Sequence, residues 1–268
     1  MAQDYVITVA THDEGYIAYF KQSCKRHGID PIILGQGDEW KGFGTKFQII
    51  RDWVMTIPDD SVVLLVDCYD LIFLRPLETL FAFYRTKANK TKAEEYIYVS
   101  TEPQLWGLSD LSKLYYGSCN GSVINTGSVM AFAKVFKNMF SDPVITAKLA
   151  RNELSDDQQM FNEYVQKNNT LECEMDDNRR FLVYQTLRLD IGLKCQVQED
   201  GTFIYRDNDQ AYEPYLLHRN GNGKMLPILQ RLGYDTSAEP VGSRYHERIL
   251  TNHVPHLLQS IRRHITGE

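Results

Sequence analysis

The chain lacks the runs that would take it into a membrane: no apolar stretch approaches the roughly 20 residues a spanning helix needs. It also lacks a basic excess. Lys and Arg total 29 against 35 Asp and Glu, a formal charge of −6, so neither nucleic acid nor an anionic membrane is the expected partner. An acidic protein of this kind binds a nucleotide only through a metal ion or a local cluster of cations. The five cysteines, at 24, 68, 119, 173 and 195, form no Cys-x-x-Cys and no zinc-like spacing. Their odd number leaves at least one thiol unpaired within the chain, and Cys173 with Cys195 is the one pairing considered. There is no Gly-x-Ser-x-Gly, no Gly-x-Gly-x-x-Gly after the first strand and no P-loop, which removes support for hydrolase triads, dinucleotide binding and P-loop NTPase chemistry. No internal repeat, low-complexity tract or composition shift marks a boundary, and 268 residues suffice for one large α/β domain. The N-terminus enters a strand pattern directly with no signal peptide, so the chain is expected in the cytoplasm unless a leader has been removed.

What is present centres on Val62-Val63-Leu64-Leu65-Val66-Asp67-Cys68-Tyr69-Asp70. Five consecutive apolar residues predict a buried strand, of the kind found at the centre of a parallel sheet covered on both faces. Ligands in such sheets collect at the carboxyl ends of the strands. Two carboxylates delivered there, three residues apart, suit a hard divalent cation holding a phosphate. Equally, Asp67 could end the strand and Asp70 cap the next turn.

Around it the pattern is βα. Tyr5–Ala10 reads as the first strand and Glu14–His27 as a helix ending at Gly28. Pro31–Leu34 is a second strand, Gly35–Gly44 a glycine-rich loop and Lys46–Met55 a helix. Pro76 starts a helix to about Tyr84, and Lys87–Glu95 reads as a surface loop before a strand at Tyr96–Ser100. Ser122–Met130 reads as strand, tight turn and strand, with Asn125-Thr126-Gly127 at the turn. Lys134–Arg151 is helical with a break near Asp142-Pro143, and Ser155-Asp156-Asp157-Gln158 caps a further helix to about Gln166. Short strands follow between Phe181 and Tyr215, the last of the series being Tyr215–His218. Helical patterns such as Val254–Arg263 recur in the tail.

Several residues could carry chemistry. His218 ends its strand just before a loop containing Gly221, Gly223 and Lys224. Two carboxylates and an imidazole leave positions on Mn²⁺ or Mg²⁺ open for diphosphate oxygens, although a strand-end histidine is more often simply packed or solvated. Tyr69 could stack on a nucleobase or belong to the core. Trp40 lies in the glycine-rich loop, where a lid closing over a ligand is the functional reading. Asp156-Asp157 either complement a helix dipole or face a sugar. Asn125 either turns the chain or places an amide near a hydroxyl-rich substrate.

These pieces, in this order, resemble the glycosyltransferase domain of the multifunctional procollagen lysyl hydroxylases. The likeness runs from Tyr5 to about Lys224. It rests on Val6–Thr11 with Glu14-Gly15-Tyr16, Gly37-Asp38-Glu39-Trp40, Gly44-Thr45-Lys46, Val66–Asp70, Ser100-Thr101-Glu102 with Trp106, Asn125-Thr126-Gly127, Asp156-Asp157-Gln158 and His218–Lys224. The resemblance implies an α/β, GT-A type, Rossmann-like nucleotide-sugar domain with a mostly parallel central sheet flanked by helices. It would form one unit over 1–268, with a nucleotide-binding half at about 1–100, an acceptor half at about 101–224 and a tail at 225–268. It implies that Asp67, Asp70 and His218 hold Mn²⁺, with Mg²⁺ as the alternative. Val9, Thr11, Trp40 and Tyr69 would contact the nucleoside, with Lys46, Asn220, Gly221 and Lys224 completing the donor site. Trp106, Asn125, Asp156 and Asp157 would line the sugar and acceptor pocket. The implied reaction is retaining transfer of glucose from UDP-glucose to galactosyl-hydroxylysine of collagen. Galactosyl transfer from UDP-galactose to hydroxylysine and an inactive sugar-nucleotide-binding domain are the alternatives. The family would place the protein in the endoplasmic reticulum lumen. Arg219 stands where the family has a glycine, and Gly-Asn-Gly replaces Gly-Pro-Thr before Lys224.

Overall fold

The computed structural model describes residues 3–102, 113, 116, 121–150, 156–184, 194–220 and 225–237. Val62–Val66 is strand β3, and every one of its side chains is buried. It lies inside a six-stranded sheet of order β2-β1-β3-β6-β5-β7, whose other members are β1 (Asp4–Val9), β2 (Ile32–Leu34), β5 (Glu95–Thr101), β6 (Ile124–Phe132) and β7 (Leu171–Asp176). The pairs β1·β2, β1·β3 and β5·β7 are parallel. β6 runs against both of its neighbours. The sheet is therefore mostly parallel, and β6 is its one reversed strand.

The period-2 alternation of β3 divides the core. Val63 and Leu65 join Phe47, Ile50 and Val54 of helix α2 (Phe43–Val54) on one face. Val62, Leu64 and Val66 join Phe20 and Cys24 of α1 (Ile17–Arg26) and Leu80, Phe81 and Tyr84 of α3 (Glu78–Ala88) on the other. A strand buried on both faces has no polar alternate positions, which is why it reads as an unbroken apolar run. Helices α4 (Ala133–Ser141), α5 (Pro143–Leu149) and α6 (Asp157–Lys167) complete the first layer. Asp142 separates α4 from α5 and caps α5 by accepting from the N–H groups of Val144 and Ile145 at 2.9 and 3.1 Å. This is the break expected at Asp142-Pro143.

Two small sheets sit beside the large one. β4 (Leu71–Phe73) and β8 (Phe181–Tyr184) flank β12 (Leu216–Arg219) in the first. β9 (Cys195–Val197), β10 (Phe203–Asp207) and β11 (Gln210–Tyr212) form the second. A separate apolar cluster joins these sheets to a short helix, α7 (Leu226–Arg231).

Three expectations need correction. Residues 122–130 are not two strands with a turn: β6 is continuous from Ile124 to Phe132, and Gly127 lies inside it. The irregularity is a bulge on β6 itself: Val99 pairs with Val129 but Ser100 with Asn125, so Thr126, Gly127 and Ser128 have no counterpart on β5. Helix α3 continues to Ala88, into the expected surface loop, because Tyr84 and its neighbours pack onto β5 and β6. Strands β4 and β7 carried no clear signal. Cys173 and Cys195 lie in different sheets and are not bonded to each other, so that disulfide does not form. Cys119 and the helical pattern at 254–263 lie outside the described residues.

Leu64 is fully buried at the centre of this arrangement. Leu64→Ala is expected to lower the unfolding free energy by about 2–5 kcal/mol, measured by urea denaturation with an unchanged m-value.

Candidate active site

The chain leaves the large sheet immediately after β3. The Asp67 N–H donates to the Gly127 carbonyl at 3.1 Å, the last contact with β6. The chain then turns through Cys68-Tyr69-Asp70 and enters β4 of the neighbouring sheet, where Leu71 pairs with His218 of β12. One short turn thus joins two sheets and brings both acids to the same side as His218. Ligand atoms of Asp67, Asp70 and His218 all lie within 4.8 Å of one another. His218 Nε2 is 3.1 Å from Asp70 Oδ1 and 4.0 Å from Asp67 Oδ2. Burial pushes the imidazole down, but Asp70 and then Asp67 outweigh it and hold its pKa above the ordinary histidine value. Hard carboxylate oxygens with one imidazole suit Mn²⁺ or Mg²⁺, and His218 Nδ1 is buried without a hydrogen-bond partner among the described residues. The donor set fits such an ion.

Gly127 makes this convergence possible. A Cβ on it would lie 2.2 Å from His218 Cε1 and 2.7 Å from His218 Nδ1. No larger residue can stand there without displacing the imidazole.

The reversal of β6 brings its first residues to the edge where β1, β3 and β5 end. Asn125 donates through Nδ2 to Glu102 Oε2 at 2.5 Å, and Asn220 donates to Glu102 Oε1 at 2.7 Å. Glu102 had no assigned role in the sequence, although Ser100-Thr101-Glu102 was visible there, and it ties β6 to the segment after β12. Asn125 Oδ1 accepts from the Gly127 N–H at 2.9 Å, which fixes the amide orientation.

Lys46, in the first turns of α2, is only 5% exposed. Its Nζ donates to Asp67 Oδ1 at 2.7 Å and to Asp157 Oδ2 at 2.8 Å. Burial alone would lower its pKa, but Asp157 and Asp67 together drive it upward. Asp157 Oδ2 also accepts from the Thr126 hydroxyl at 3.2 Å, another contact absent from the sequence reading. Asp156 caps α6, accepting from the Gln159 N–H at 2.9 Å. Burial, reinforced by Asp157, pushes its carboxyl up to about 7.

At the end of β1, Thr11 is buried, and its carbonyl accepts from the Gly37 N–H at 3.2 Å. Tyr69 donates its hydroxyl proton to the His12 carbonyl at 3.0 Å, and burial raises the phenol to about 12. Trp40 is half-buried and meets Phe43 edge-on at 5.6 Å, next to Gly42, whose φ of +125° favours glycine. The Val9 side chain is not brought to the site; it packs in the core with Phe47. Trp106, Gly221 and Lys224 lie outside the described residues.

Residues 2–235 match the family model of the PLOD GT domain. The Multifunctional procollagen lysine hydroxylase and glycosyltransferase of Caenorhabditis elegans is 25% identical over 236 residues, 82% of this chain and 30% of that protein. The human Procollagen-lysine,2-oxoglutarate 5-dioxygenase 2 is 26% identical over 246 residues, 85% of this chain and 31% of that protein. The chain therefore spans less than a third of the length of these curated relatives. A crystal structure of the galactosyltransferase LgtC with donor and acceptor sugar analogs superposes with a TM-score of 0.50 at 14% identity, covering 88% of this chain and 98% of that one. That likeness concerns the fold, which is of the GT-A type. Among the described residues no helix is long and apolar enough to cross a membrane.

Gly127→Ala is expected to weaken Mn²⁺ binding at least tenfold, followed by water-proton relaxation, and to destabilise the protein by about 1–3 kcal/mol through overpacking. Unchanged Mn²⁺ binding would show that the imidazole position does not matter to the ion.

Proposed function

The chain belongs to the PLOD GT domain family, and from that premise we propose that it is a metal-dependent, retaining glycosyltransferase that moves glucose from UDP-glucose to galactosyl-hydroxylysine of collagen. The observation that carries the metal-dependent part is the convergence of Asp67 and Asp70, from the turn after β3, with His218 of β12. These residues would hold Mn²⁺ or Mg²⁺, which when bound would neutralise charge on the diphosphate leaving group.

The remaining roles belong to the chain. Tyr69 lies between the two acids, so the turn that aims both carboxylates inward also sets an aromatic ring at their side for the nucleoside. Thr11 stands beside it. Lys46 holds Asp67 and Asp157 in fixed relation, linking the diphosphate end to the sugar end. Asp156 and Asp157 supply the carboxylates nearest the sugar. Asp157 is pinned by Lys46, Thr126 and the Gln158 N–H, which suits orientation of sugar hydroxyls. Asn125 would line the sugar and acceptor pocket and Asn220 the diphosphate end, the two being joined through Glu102. Closure of the Trp40 segment would exclude water that otherwise hydrolyses the donor. Trp106, Gly221 and Lys224 enter this scheme through their match to the family motifs. A collagen-type acceptor agrees with the names of the relatives.

The deciding experiment is UDP release with UDP-glucose and UDP-galactose, each offered galactosyl-hydroxylysine, hydroxylysine or no acceptor, with and without Mn²⁺. Acceptor-dependent turnover of UDP-glucose with galactosyl-hydroxylysine is expected. Preference for UDP-galactose with hydroxylysine would reassign donor and acceptor together, and no turnover under any condition would leave a binding domain. Asp67→Ala is expected to lower Mn²⁺-dependent turnover by at least about 100-fold, within the range for loss of an electrostatic stabiliser. Trp40→Ala is expected to raise the donor KM roughly tenfold, about 1.4 kcal/mol; an unchanged KM would remove the lid role.

A further inference from the structure

The nucleoside end of the site contains an imidazole that the proposed chemistry does not use. His12 follows Thr11 at the end of β1, with its side chain 36% exposed. A histidine with that much access normally turns its nitrogens to water, but here both face protein. Nδ1 is 2.7 Å from Thr11 Oγ1. Nε2 is buried and stands 2.7 Å from Glu14 Oε1, close but off the line of a hydrogen bond. Glu14 is itself only 7% exposed. The backbone of His12 is locked to the metal motif, because the Tyr69 hydroxyl donates to the His12 carbonyl at 3.0 Å. The two rings lie 5.8 Å apart, inclined by 36°.

The proton positions follow from this geometry. A buried carboxylate beside Nε2 favours the proton on that nitrogen. Nδ1 then carries a lone pair, and the Thr11 hydroxyl 2.7 Å away is the donor that meets it. A hydroxyl has one proton and two lone pairs. With its proton committed to Nδ1, Thr11 Oγ1 can act toward a ligand only as an acceptor.

We propose that the Glu14–His12–Thr11 chain fixes Thr11 Oγ1 as a hydrogen-bond acceptor, so that the site selects nucleosides presenting a donor there. The matching donors are the imide N–H of a uracil base and a ribose hydroxyl. His12 is thereby a positioning residue acting through Thr11. This rests on the nucleotide-sugar reading of the site. A site whose polar group is fixed in one sense rejects a ligand that offers the wrong partner, because a buried acceptor is left unpaired.

The test is calorimetric titration of the full chain, in Mn²⁺, with UDP, CDP and 2′-deoxy-UDP. Wild type is expected to bind UDP at least tenfold tighter than one analogue: CDP if the imide N–H is read, 2′-deoxy-UDP if the ribose is. His12→Ala is expected to lose about tenfold in UDP affinity and most of that preference, with Mn²⁺ affinity within twofold of wild type. His12→Asn, whose Oδ1 can accept where Nδ1 does, is expected to restore most of both. No preference in wild type, or a His12→Ala protein with wild-type UDP affinity and preference, overturns the proposal. So does an equal loss for all three nucleotides together with Mn²⁺, which marks a merely structural role. If wild type binds Mn²⁺ but none of the nucleotides, the nucleotide-sugar reading itself fails and takes this proposal with it.

Discussion

A buried lysine between two carboxylates is the constraint on which the site is built. An ammonium group taken out of water costs several kcal/mol unless it is paired and its protons are used. Lys46 meets that condition only while Asp67, at the exit of β3, and Asp157, at the start of α6, both reach it. Those segments are 90 residues apart in sequence and belong to different layers. The desolvated cation therefore acts as a distance gauge: if α2, α6 or the β3 exit moves, a charge is stranded. This gives the edge of the sheet a rigidity that apolar packing, which tolerates sliding, would not.

A second constraint is steric. The small sheet formed by β4, β12 and β8 presses against the large one at Gly127, where the His218 ring occupies the space a side chain would fill. Electrostatics and sterics meet within a few residues. Asp67 is held by Lys46 through its side chain and by Gly127 through its backbone, and His218 is held against both.

Much of this was legible in the sequence. The apolar run of β3 suits a doubly covered strand, which it is, and the acids after it could be placed at its carboxyl end. The helix break at Asp142-Pro143 and the cap at Asp156 have direct chemical signatures. What could not be read had competing local chemistry. Asn-Thr-Gly is a turn sequence on its own, but Gly127 serves a close approach from a residue about 90 positions later. Strand β4 is three residues long and lacks flanking signals. Glu102 acquires its role from two asparagines that only the fold brings to it. His12 sits in an ordinary-looking Thr-His-Asp-Glu turn, and nothing in that string shows that both ring nitrogens will be enclosed.

Strand β6 has one more consequence. Its second half, Val129 to Ala131, belongs to the apolar core, while Asn125, Thr126 and Gly127 meet Glu102, Asp157 and His218 in turn. Side chains along a strand alternate between faces, so inserting or deleting one residue inverts every position beyond it. A length change here would misplace the Asn125 amide and Gly127 and turn core residues the wrong way together. The strand can drift in composition but not in length. Changes of length are thus confined to the outer connections of this scaffold, with β6 as the fixed ruler against which they are measured.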